Sequence, residues 1–171
     1  MELLLSGFHS ENEHIVPRSL PARAVYLCRA ATIEELPRKI KATSQHFVLL
    51  LAFDAELLPG EEIEQVGARL VEQGLAYFCA WGPDCERVHD LFDAAAESKN
   101  KKLTGNDVVM TTSHSDEPLV EALWFFLHSA FPTQYFEPTC MDWIIAPIGN
   151  PKWEEEIRKK IREVACGTPS E

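Results

Sequence analysis

Seven consecutive apolar residues, Phe47 to Phe53, lie within the stretch HFVLLLAFD. A run of strand length with no polar alternation offers no face to water, so it reads as a strand covered on both sides. Such a strand belongs inside an open sheet with helices above and below it.

The rest of the chain supplies those helices. From about residue 24, apolar runs alternate five times with segments of helical periodicity. AVYLCRA precedes TIEELPRKIKAT, where Thr32 and Glu35 have capping-box spacing and Pro37 weakens the helix. HFVLLLAFD precedes the stripe Ile63, Val66, Leu70 and Val71, closed by Gly74. LAYFCAWG leads to a helix starting near Pro83, with Val88, Leu91, Phe92, Ala95 and Ala96 at helical spacing. DVVMTTSH leads to a helix from about Glu117 to Phe131. DWIIAPIG is followed by Asn150-Pro151 as a helix start and by the stripe Trp153, Ile157, Ile161 and Val164.

Strict alternation of this kind predicts the α/β class: a single three-layer sandwich, Rossmann-like or flavodoxin-like, of about five mainly parallel strands with helices on both faces. The 171 residues suit one domain, large enough to bury roughly 70% of the unfolded surface. Residues 23–167 are assigned to that domain, 1–22 to an N-terminal arm or edge element, and 168–171 to a disordered tail.

Lysine and arginine number 16 against 27 aspartates and glutamates, a formal charge of −11. Neutralising nucleic-acid phosphates or an anionic membrane requires the opposite sign, so neither is an expected partner. A basic protein or a divalent cation fits better. The start, MELLLSGFHSENEH, is not basic and its apolar stretch is too short for a signal peptide; no run of about 18 apolar residues follows, so a cytoplasmic location is expected. Cys28, Cys79, Cys85, Cys140 and Cys166 include no C-x-x-C pair, which argues against a disulfide framework and a zinc knuckle.

Ligands of open parallel sheets bind beyond the carboxyl ends of the strands, where strand order reverses. The loops expected there carry Arg29, Asp54, Glu56, Trp81, Asp84, Cys85, Thr112, His114, Asp116, Glu117 and Asn150. Of these, Asp54, Trp81, Asp84, Thr112, His114 and Glu117 are the candidate ligand-binding residues. Neither glycine-rich phosphate-loop pattern occurs, which disfavours a dinucleotide or triphosphate, and no cofactor is evident. Asp54 and Glu56 are candidate ligands for magnesium, since hard cations take carboxylate oxygens; the plainer role is capping or solvating their loop.

The catalytic candidates are Cys85, His89 and His114. Cys85 sits in a first helical turn, where orphan amides favour a thiolate, but Asp84 and Glu86 beside it oppose one. It also extends the stripe of Val88 and Phe92, as a buried structural thiol does. His114, in TTSHSDEP, is surrounded by hydroxyls and acids; the same segment suits a strand-to-helix turn with Ser115 or Asp116 as N-cap. The helix that follows is apolar almost all round, so it is covered by the rest of the fold or by a second subunit. Glu117, Glu121 and His128 form its polar stripe, flanked by Trp124 and Phe125, which makes Glu117–Phe131 a candidate protein or homo-oligomer interface.

The combined pattern LLLAFD, AYFCAWGPDCERVHD, VVMTTSHSDEPLVEALWFFL and the closing W-x-x-x-I helix resembles a family of small bacterial proteins classed as a domain of unknown function. The resemblance spans about residues 46–160. It implies a bacterial cytoplasmic origin and a single domain, and no activity.

Three functions fit these observations. The first is a small acidic cytoplasmic binding or regulatory module acting through a protein partner. The second is a small hydrolase or transferase whose site at the carboxyl edge uses Asp54, Asp84 and His114, or Cys85 with a histidine. The third is a small-ligand sensing domain walled by Trp81 and Trp143.

Overall fold

The computed structural model describes residues 1–9, 22–99 and 107–167. Its six strands are β1 (Glu2–Phe8), β2 (Arg23–Leu27), β3 (His46–Ala52), β4 (Leu75–Trp81), β5 (Met110–His114) and β6 (Cys140–Pro147). They form one sheet in the order β1-β2-β6-β3-β4-β5, parallel throughout except for β1 against β2. The apolar run is β3, flanked by β6 and β4 and buried from Phe47 to Ala52.

The helices are α1 (Leu36–Lys39), α2 (Gly60–Glu72), α3 (Cys85–Lys99), α4 (Leu119–His128) and α5 (Pro151–Ala165). Alternate residues of β3 point to opposite faces. Phe47, Leu49 and Leu51 join a core with Leu36, Ile63, Val66, Val88 and Phe92 of the first three helices. Val48, Leu50 and Ala52 join a second core with Leu123 and Phe126 of α4 and Ile157 and Ile161 of α5. The chain steps one way across the sheet through α2 and α3, then returns from β5 to β6 through α4. Right-handed crossovers in opposite directions must use opposite faces, which is why α4 lies across the sheet from α3. The α/β sandwich implied by the sequence is therefore present.

Four local points sharpen or change that reading. The N-terminal segment, expected as an arm or edge element, supplies the edge as a sixth strand: β1 is antiparallel to β2, with register shifts between Leu3 and Leu5 and between Leu5 and Phe8. It is held by Arg158 of α5, whose Nη2 donates to Glu2 Oε2 at 2.7 Å and to Glu154 Oε1 at 2.9 Å. The first helix shrinks to a 3-10 turn at Ile33–Glu35 and one α turn. Thr32 makes no side-chain cap, and Glu35 instead accepts from the Ala31 amide at 2.9 Å. Pro118 precedes α4 without a side-chain cap, so neither Ser115 nor Asp116 is its N-cap.

The fourth change concerns the face of α4. His128 is 2% exposed rather than part of a solvated stripe. Its Nε2–H donates to the Val164 carbonyl at 3.0 Å, and its ring lies between Phe8 and Trp124. The sheet, α5 and β1 cover this helix within the chain, leaving Val120, Trp124 and Phe125 half-buried. The segments expected as part of an arm (10–21) and as a disordered tail (168–171) lie outside the described residues.

Candidate functional site

The connections leaving β4 and β5 are neighbours at the carboxyl edge, and their helices depart to opposite faces. Two adjacent loops that diverge leave a crevice between them. Here it is a cleft of about 460 Å³ lined by Trp81 to Glu86 on one side and His114 to Glu117 on the other.

Gly82 makes the first wall possible. Its φ is +114°, and a Cβ there would lie 2.5 Å from the Phe53 carbonyl oxygen. The Cys85 amide donates to the Gly82 carbonyl at 3.1 Å, closing the turn that starts α3. Asp84 and Asp116 have φ of +61° and +59° and are the only non-glycine residues with positive φ among the described residues. Aspartate tolerates this left-handed region better than most side chains, at a cost of about 1 kcal/mol or more. Both strained residues lie in the two turns that face each other across the cleft.

His114 forms the inner end of the second wall. Its Nδ1 is 2.5 Å from Glu117 Oε1, its Nε2 is 3.2 Å from the Thr112 hydroxyl, and its ring leans on Phe125 at 4.6 Å between centroids. A carboxylate only accepts, so Nδ1–H donates to Glu117. Trp81 closes the site below: its Nε1–H donates to the Glu117 carbonyl at 2.9 Å, and its ring meets Trp153 edge-on at 5.2 Å. The Ser115 hydroxyl donates to Glu86 across the cleft at 3.0 Å, tying the two turns together.

Cys85 lines the cleft but is 2% exposed. Burial pushes its thiol pKa up, a hydrogen bond from the His114 backbone offsets only part of that, and the Glu86 charge adds to it. The sulfur is therefore a poor nucleophile at neutral pH. His89 pairs with Asp90 at 3.0 Å and does not line the cleft, so no Cys85–His89 dyad is assembled there.

Charge is the cleft's strongest chemical feature. Asp84, Glu86, Asp116 and Glu117 line it, and among the described residues no lysine or arginine does. Arg87, the cation next to it, is engaged with Asp84 at 2.5 Å and with the carbonyls of Ala55 at 2.5 Å and Leu58 at 3.2 Å.

Of the residues expected to bind a ligand, Trp81, Asp84, His114 and Glu117 come together, with Thr112 behind the imidazole. Asp54 does not join them. It is exposed, and its Oδ1 accepts from the Glu56 amide at 3.3 Å, which is the loop-capping role. Glu56 is exposed as well, and among the described residues no group of three or more histidine, cysteine or acidic side chains is placed to hold a metal ion. Trp143 is 2% exposed in the second core, under the Arg23 guanidinium, and is no wall of an open site. Arg29 and Asn150 line a separate cleft of about 350 Å³, beyond the carboxyl ends of the paired strands β2 and β6. Arg29 faces Glu2 and Glu154, and Asn150 caps α5. Glu86 and Ser115, which the sequence offers only as a flanking acid and a helix cap, line the cleft, and Arg87 beside it had one signal, its place three residues after Asp84, a helical ion-pair spacing.

Among the described residues, no helix is long and apolar enough to cross a membrane. A protein-family model described as a domain of unknown function (DUF7684) matches residues 25–164. No curated protein and no solved structure matches the chain.

Proposed function

The chain belongs to the DUF7684 family, and we propose that this domain is an acidic, cytoplasmic binding or regulatory module of bacteria that recognises a cationic group on a partner protein. The observation that carries this reading is the cleft between the β4 and β5 turns, which four carboxylates and Trp81 line with, among the described residues, no lysine or arginine. A lysine or arginine side chain entering it gains charge-assisted hydrogen bonds and an aromatic neighbour. The net charge of −11 acts in the same direction over longer range, by steering a basic partner toward the domain.

Binding is favoured over catalysis because the cleft's one cysteine is buried with its thiol pushed up, and because both ring nitrogens of His114 already have partners. A partner seated on α4 is the less favoured form, since that helix is covered within the chain. The cleft volume also falls within the usual range for small-molecule pockets, so a free amine metabolite is the second reading.

Fluorescence anisotropy with a labelled peptide of alternating lysine and valine tests the proposal against a neutral peptide of alternating serine and valine. The expected result is binding by the lysine peptide alone, weakened by added salt and about fivefold or more by Asp116→Asn, the size expected from losing one charged contact. Equal binding of both peptides, or none at about 1 mM, rejects it. Spermidine binding without peptide binding selects the metabolite reading.

A further inference from the structure

We propose that an extended basic segment of the partner adds to the outer edge of β5 as a seventh strand, with a lysine or arginine reaching the cleft. This rests on the cationic-partner reading above and supplies the mode of binding.

The two edges of the sheet differ. β1 is irregular: its register shifts twice and Gly7 adopts φ +66°, features that blunt an edge against strand addition. β5 pairs with β4 over five consecutive residues, Met110 to His114, without a shift, and among the described residues no strand lies on its other side. A strand's N–H and C=O groups alternate in direction, so about half of those on β5 point away from β4.

Side chains add to the case. Val108 and Met110 are 43% and 42% exposed, among few large apolar side chains that face water. They share the side of the strand on which His114 is buried under Phe125, beyond the part that α4 covers. Strand addition takes its affinity from main-chain hydrogen bonds and its specificity from such alternate side-chain sites.

Charge selects the occupant. β5 itself carries no acid, lysine or arginine, and the acids that follow it, Asp116 and Glu117, line the cleft. The β5 of a second copy has no lysine or arginine to offer those carboxylates. A basic segment meets the opposite sign where β5 ends, at Asp116 and Glu117 of the cleft. β5 ends at His114, which lines the cleft, so a strand on this edge is led to the four carboxylates.

The test uses the full chain and the alternating lysine–valine peptide in three forms: unmodified, N-methylated on the valines, and N-methylated on the lysines. Only one of the two sets of peptide N–H groups can face β5, so methylation of that set is expected to weaken binding about tenfold or more and of the other set about twofold or less. Amide hydrogen exchange across residues 108–114 is expected to slow when the unmodified peptide binds. If the unmodified peptide binds but both methylated forms bind as tightly and exchange in β5 is unchanged, strand addition is wrong while the cleft reading stands. If the unmodified peptide does not bind, both are wrong. If β5 is protected only by concentration-dependent self-association, the occupant is a second copy and the proposal is overturned.

Discussion

Nδ1 of His114 lies 2.5 Å from Oε1 of Glu117, three residues on, and the imidazole that makes this contact is 8% exposed. The pair joins the last residue of β5 to the approach of α4, so it shapes the turn that forms half of the cleft. A buried donor left without its acceptor costs about 1–3 kcal/mol. Glu117→Ala should therefore lower stability by about 1–2 kcal/mol in urea unfolding, and Glu117→Gln, which keeps an acceptor, by less than half of that. An alanine variant as stable as the parent would show that the pair does not hold the turn.

Asp116 is exposed and takes a left-handed backbone that glycine adopts without strain. Asp116→Gly should raise stability by about 0.5–1 kcal/mol, or roughly 2–4 °C in Tm for each kcal/mol at this chain size. The same change removes a carboxylate from the cleft. A calorimetric scan combined with peptide binding should show the two properties moving in opposite directions, as at sites where strain is kept for function. Lower stability in the glycine variant would rule out strain at Asp116.

Among the five cysteines only Cys166 is exposed. Burial pushes the thiols of Cys28, Cys85 and Cys140 up, and that of Cys79 to about 12. Iodoacetamide at about pH 8 should add one alkyl group per native chain, at Cys166, and five after unfolding in guanidinium. Mass spectrometry of tryptic peptides reads this directly. Fast labelling of Cys85 in the native protein would revive a nucleophilic role for it.

The Arg158 guanidinium, by hydrogen bonding Glu2, holds that carboxyl below its ordinary value of 4.5. A group whose pKa is lower when folded stabilises the fold above the unfolded value, and its contribution is lost as pH falls through the folded one. The tie between β1 and α5 should thus be complete above about pH 4.5 and weaken below it. Hydrogen exchange should show β1 amides opening earlier than those of β3 as pH falls, after correction for the intrinsic rate. Glu2→Gln should remove that difference in pH dependence; persistence of it in the variant would place the titration elsewhere.

The parts legible in the sequence are those set by short-range periodicity. Phe47 to Phe53 required a strand buried on both faces, and Ile63, Val66 and Leu70 required one helix face, because burial repeats every two or 3.6 residues wherever the partner lies. Cys85 was readable as buried for the same reason. Its register with Val88 and Phe92 turns it toward the sheet, and the structure leaves it 2% exposed. Asn150 was readable as a cap, since its amides are two and three residues away.

What periodicity does not contain is which distant loops meet. Asp54 follows β3 and His114 ends β5, yet only His114 reaches the cleft, because α3 and α4 diverge between β4 and β5 while Arg87 ties the Asp54 loop to α3. His128 looked solvent-facing until Val164, 36 residues on, gave it an acceptor. β1 lacked alternation because its register shifts and Gly7 break the period, and Arg158, 156 residues from Glu2, holds it in place. The sequence by itself determined the α/β class, the strands and most helix faces, since these follow from local patterns of burial. The tertiary structure alone decided the strand order, the coverage of α4 and the membership of the cleft, since each depends on contacts between residues that the chain keeps far apart.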